Sequence, residues 1–115
     1  AIELLSFTGT RQGDGVILNW ATAVEIDNFG FRLLRSTTGQ LADAVEIGFV
    51  WGQGTGRGDS YSFTDKDVAA GQRYTYWLVD VDVNGNETVH PEPVVVAPAA
   101  TDGYNSALYL PLMVK

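Results

Sequence analysis

The sequence predicts an all-β fold: an antiparallel sandwich of seven short strands, with a surplus apolar strand at the C-terminal end. Three observations predict it. Apolar and polar residues alternate with a period of two through several short runs, turn-forming residues punctuate those runs at short intervals, and long helical periodicity is missing. Many short strands with regular turn signals indicate a sandwich or a barrel.

The strands are expected at about 2–10, 15–22, 29–36, 44–51, 59–64, 73–82 and 87–97. In the second, Val16, Leu18 and Trp20 fall on one face and Ile17, Asn19 and Ala21 on the other. The third turns Phe31 and Leu33 inward and Arg32 and Leu34 outward. Before the fourth, Leu41, Ala42 and Ala44 also allow a helical turn within 40–47, with strand expected from Ala44 onward. The sixth places Tyr74, Tyr76 and Leu78 inward, so Trp77 and Val79 face outward. Asn84-Gly85 follows, a pair that favours the type I′ turn of a tight hairpin. His90-Pro91-Glu92-Pro93 reads as an interrupted or edge strand, because proline lacks the ladder N–H.

The run Gly15-Val16-Ile17-Leu18-Asn19-Trp20 resembles the second strand of fibronectin type III domains, which carries a core tryptophan. Gly30-Phe31-Arg32-Leu33 is similar to their third strand, and Val68 to Tyr76 to their entry into the sixth, where a tyrosine anchors the corner. The resemblance spans about residues 2–97 and gives the corner role to Tyr74. It implies a seven-stranded fibronectin type III/immunoglobulin-like sandwich over residues 1–98, with Trp20, Phe31, Leu33, Tyr74, Tyr76 and Leu78 in the core. The stretch from Trp20 to Phe31 looks like the divergent version found at the C-termini of secreted bacterial proteins. Such a fold implies a scaffold and names no activity.

Composition narrows the function classes. One domain fits 115 residues, with 45% hydrophobic and 18% charged side chains. The 14 acidic residues outweigh 7 basic ones, giving a formal charge of -7 that repels nucleic acid and anionic membranes. Cysteine is absent, which excludes disulfides, thiolate metal sites and cysteine catalysis. No apolar run approaches a membrane span, and Ala1 suits a mature end left by signal cleavage. An extracellular or cell-surface location is expected.

Residues 99–106 read as a polar spacer and 107–115 as a hydrophobic strand. Leu108, Leu110, Leu112 and Val114 line one side of that strand, Tyr109 and Met113 the other. Burying the four aliphatic side chains is worth about 6–12 kcal/mol as an upper bound. Whole domains are stable by about 5–15 kcal/mol, so such a segment demands cover. It docks either on its own domain or on a neighbour, and the sequence leaves that choice open. Leu34, Trp77 and Val79 are the expected receiving patch, on the outer face of the sheet.

Chemical motifs are sparse. Arg57-Gly58-Asp59 spells a cell-attachment tripeptide, but it precedes the fifth strand instead of lying between the last two, so integrin attachment is not expected. Gly52, Gly54, Gly56 and Gly58 alternate without a phosphate-loop pattern. His90, the lone histidine, lacks a nucleophile motif, and zinc would lack its ligand set. Asp80 with Asp82 is a weak calcium candidate, as are Asp65 with Asp67 and the cluster Glu25, Asp27, Asn28; none matches a calcium loop. Asn86-Glu87-Thr88 is a glycosylation sequon. No catalytic residues, metal or cofactor are expected. The leading expectation is a non-enzymatic extracellular structural protein whose partner is itself, forming a fibre or filament through residues 107–115. The alternative is an accessory or surface-attachment module of a larger secreted protein, with weak carbohydrate or protein binding at 22–28 or 52–58.

Overall fold

The computed structural model describes residues 2–53 and 56–100. The expected spacer beyond Ala100 and the strand at 107–115 lie outside the described residues. Among the described residues eight strands form: β1 (Ile2–Gln12), β2 (Gly15–Glu25), β3 (Asn28–Ser36), β4 (Val45–Trp51), β5 (Ser60–Asp65), β6 (Tyr74–Asp82), β7 (Glu87–Val89) and β8 (Val94–Val96). One sheet runs β1-β2-β5. The other runs β4-β3-β6-β7, with β8 also on β6. All pairings are antiparallel. The Leu41–Asp43 stretch is a single 3-10 turn before β4, so both readings of 40–47 hold for part of it.

The alternation read from sequence puts one face of each sheet into a shared core. Val16, Leu18 and Trp20 of β2 meet Phe31 and Leu33 of β3 and Tyr74, Tyr76 and Leu78 of β6, with Tyr61 and Val96 completing the cluster. Trp20 stacks on Tyr61 at 5.6 Å and meets the edge of Phe31 at 5.5 Å. Ring pairs of this kind add to simple burial. Tyr74 holds the corner, its hydroxyl accepting the Ala69 N–H at 2.7 Å.

Two expectations change. The last strand is split: β7 and β8 each have three residues and flank His90 to Pro93, where two prolines cannot donate to a ladder. The hairpin at Asn84-Gly85 is not type I′, which needs positive φ at both central residues. Gly85 has φ +86, but Asp27 is the single non-glycine residue with positive φ among the described residues. The Gly85 N–H bonds to Asp82 O at 2.9 Å and the Asp82 N–H to Asn86 O at 2.9 Å, giving a three-residue loop. Side-chain chemistry decides this. Asp82 Oδ1 accepts the N–H groups of Asn84 and Asn86, both at 2.9 Å, and so caps the wider loop. Those bonds hold the Asp82 carboxyl below its ordinary pKa.

The sandwich has two ends. The β2–β3 turn and the β6–β7 loop meet at one end, tied by the Val83 N–H to Asp27 O at 2.9 Å. We call it the apex. The β1–β2 turn and the start of β6 lie at the other, the base. No helix of the described residues is long and apolar enough to cross a membrane.

Candidate functional site

The outer face of the larger sheet is the first surface to consider, because sequence expects an apolar patch there. Register places Leu34 opposite Trp77, and Arg32 opposite Val79. None of these four belongs to the inter-sheet core cluster. Yet Trp77 is only 6% exposed and Val79 only 1%. Trp77 and Val79 are therefore buried and Leu34 is half-buried, so the three do not form an open patch. Arg32 supplies part of the reason. Its guanidinium bonds Glu46 of β4 at 2.6 Å and also Glu87 of β7, so its apolar stem spans the sheet beside Val79. Both carboxylates raise the Arg32 pKa, that of Glu46 most.

The open apolar surface lies one strand further out, on β4. Trp51 is 64% exposed and Phe29 44%. Phe49 meets the edge of Trp51 at 5.2 Å and tilts against Phe29 at 5.7 Å, while Phe29 meets Trp51 at 4.8 Å. Phe49 and Trp51 stand on one side of β4 because they pair with Arg32 and Gly30, which share a side of β3. Gly30 makes the arrangement possible: a Cβ there would collide with the Phe49 ring and with the Val50 carbonyl. Beyond these rings β4 pairs with no strand except β3 among the described residues.

At the apex a buried carboxylate organises the loops. Glu25 accepts the Tyr61 hydroxyl at 2.6 Å, Thr22 Oγ1 at 2.7 Å and Asn28 Nδ2 at 3.1 Å. Desolvation, then the bond to Glu25, pushes the Tyr61 phenol well above its ordinary pKa. An open depression beside it is lined by Glu25, Ile26, Asp27, Asn28, Gly56 and Val83. Thr22, Asn28 and Tyr61 are neutral donors and between them engage both oxygens, so Glu25 serves as a structural acceptor.

The remaining sequence candidates are each held by local structure. Asp80 bonds His90 Nε2 at 2.7 Å, whereas Asp82 caps its own loop, so the calcium candidates Asp80 and Asp82 face different partners. No group of three or more metal-ligating side chains gathers among the described residues. Asp65 and Asp67 both meet Arg35. Arg57-Gly58-Asp59 lies flat along β2 instead of at a loop tip. Arg57 bridges Val24, and the Asp59 N–H donates to Thr22 Oγ1 at 3.0 Å. Gly58 passes so close to Thr22 that a Cβ would strike the Thr22 carbonyl. In the sequon, Asn86 Nδ2 donates to Asp82 Oδ2 at 3.2 Å.

These features define a fibronectin type III-like β-sandwich as the fold of the chain. An Fn3-like protein from Clostridium thermocellum aligns over 100% of this chain and 97% of its own, with 22% identity and a TM-score of 0.55. Pectate lyase Pel3 from Pectobacterium carotovorum aligns over 87% of this chain, with 20% identity and a TM-score of 0.66. Pectate lyase PelI from Erwinia chrysanthemi, in complex with tetragalacturonic acid, aligns over 82% with 21% identity and a TM-score of 0.63. This chain spans only 29% and 27% of those two lyase chains. No protein-family model and no curated protein sequence matches the chain.

Proposed function

We propose that the chain is a non-enzymatic, extracellular structural module that associates with further copies of itself through residues 107–115. One observation carries the reading. The core cluster draws on residues from Ile2 to Val96, all within the eight strands and the β5–β6 connection, while the sequence goes on to a segment as apolar as a core strand. Such a segment seeks a dry surface, and strand addition offers one with main-chain hydrogen bonds. Donor and acceptor surfaces differ, so the contact is heterologous and propagates into a fibre unless it closes. Deleting residues 104–115 and comparing particle size by light scattering tests the proposal. Assembly of the full chain and its loss on truncation is the expected result; a full chain that stays monomeric at high concentration overturns it.

The comparisons favour a second reading for a specific reason. The fold matches about a quarter of each pectate lyase chain, so it occurs as one module within longer proteins. On that reading the chain is an accessory or surface-attachment part of a larger secreted protein. The intact mass of the native protein separates the two: a product far longer than this chain favours the accessory module.

A further inference from the structure

We infer that the acceptor for residues 107–115 is the free edge of β4 on a second copy, entered antiparallel from the apex. The inference rests on the self-association proposed above and adds its receiving surface.

The sheet edges differ in how well they can accept a strand. β7 and β8 have three residues each and are separated by two prolines. Such an edge offers no continuous ladder. β1 is interrupted twice around Leu4, where its register with β2 slips. β4 has seven residues, lacks proline and lysine, and has one register break, between the pairs of Leu33 and Leu34. Its apical half, residues 48–51, is regular and carries Phe49 and Trp51 beside Phe29. Among the described residues, an edge with no further partner strand and an exposed aromatic cluster thus coincide on β4.

Chain direction selects a second copy over the same one. β8 runs toward the base, since Val94 pairs with Tyr76 and Val96 with Tyr74, and Ala99 is then tied to Ala70 there. β4 runs from base to apex, from Val45 opposite Arg35 to Trp51 opposite Gly30. The chain's own continuation would have to pass beneath β6 and β3, then rise parallel to β4 in a sheet whose other pairings are all antiparallel. Parallel pairing is somewhat weaker. A second copy can approach from the apex and pair antiparallel.

The donor sequence fits this geometry. In a strand, residues whose side chains share a face also bond toward the same neighbour. With Leu108, Leu110, Leu112 and Val114 bonded to β4, Pro111 and its missing N–H point to the far side. The added strand then carries its own stop against sideways growth.

The test uses the full chain across a concentration series. Sedimentation reads assembly, and amide hydrogen exchange reads which backbone becomes protected. Protection at 45–51 should rise with assembly. Trp51→Lys and Val45→Lys, both at exposed positions, should raise the concentration for half-assembly at least about tenfold. Val95→Lys, on the opposite edge, should leave it unchanged. If the chain assembles but β1 or β8 gains the protection, or Trp51→Lys assembles normally, the β4 acceptor is wrong while self-association stands. If the chain is monomeric with β4 protected at every concentration, the segment docks on its own domain. A monomer whose β4 is protected only by an added neutral glucan makes this edge a sugar site. Either monomeric result overturns both proposals.

Discussion

Two buried carboxylates hold opposite ends of the sandwich, and they are neutralised in different ways. At the base, Asp65 of β5 accepts Arg35 of β3 at 3.0 and 3.1 Å and the Tyr76 hydroxyl at 2.8 Å. At the apex, Glu25 of β2 accepts the hydroxyls of Thr22 and Tyr61 and the amide of Asn28, all neutral donors. Asp65 is 4% exposed and Glu25 2%, so burial does not separate them. Their partners do. Removing the charge at Asp65 leaves a mostly buried cation with only the exposed Asp67 carboxylate and carbonyl, whereas removing it at Glu25 leaves neutral dipoles that an amide can still answer in part. The base is therefore an electrostatic lock between the sheets, and the apex is a hydrogen-bonded cage.

The largest expected effect joins the two ends. Tyr61 and Tyr76 both have phenol pKa values raised above the ordinary value, first by desolvation and then by bonds to Glu25 and Asp65. The folded state holds these protons more tightly than the unfolded chain. Their contribution is full below about pH 10 and is lost as pH rises above it. Phenolate absorbance in an alkaline titration should show two tyrosines ionising only with unfolding; smooth ionisation of all five before unfolding breaks the account.

Next, Asp65→Asn should cost about 3–5 kcal/mol in urea unfolding, the range for breaking a buried ion pair. Glu25→Gln should cost less, about 1–3 kcal/mol, because one acceptor oxygen remains for the surrounding donors. Equal losses for the two would erase the distinction between lock and cage. The smallest effect is Tyr74→Phe, at about 1 kcal/mol, from the lost acceptor for the Ala69 N–H, also measured by urea unfolding.

Strand pattern and core were legible because alternation is a local signal. Val16, Leu18, Trp20, Phe31, Leu33, Tyr74, Tyr76 and Leu78 lie in the buried cluster on the faces that alternation assigns. Alternation also gave the face of Trp77 but not its burial, since what covers a sheet depends on long side chains such as Arg32 reaching across strands. The Asn84-Gly85 turn was misread because the decisive residue, Asp82, lies outside the pair that signals turn type. The cage at Glu25 was hidden for another reason: its bond to Tyr61 joins residues 36 apart in sequence. The aromatic group on β4 was also missed, although Phe49 and Trp51 at alternate positions carried a readable signal.

The placement of the described ends sets how the domain bears tension. Ile2 pairs with Glu25 at the apex, and Val96 pairs with Tyr74 at the base. Pulling the two apart along the strands loads both terminal ladders in shear. The β1 ladder has ten rungs and the β8 ladder three, so β8 alone would yield first. Arg11 offsets that weakness. From β1 it grips Ala97 O at 2.8 Å, Ala69 O at 3.2 Å and Gln72 O at 2.5 Å, clamping the exit of the chain to its entry strand.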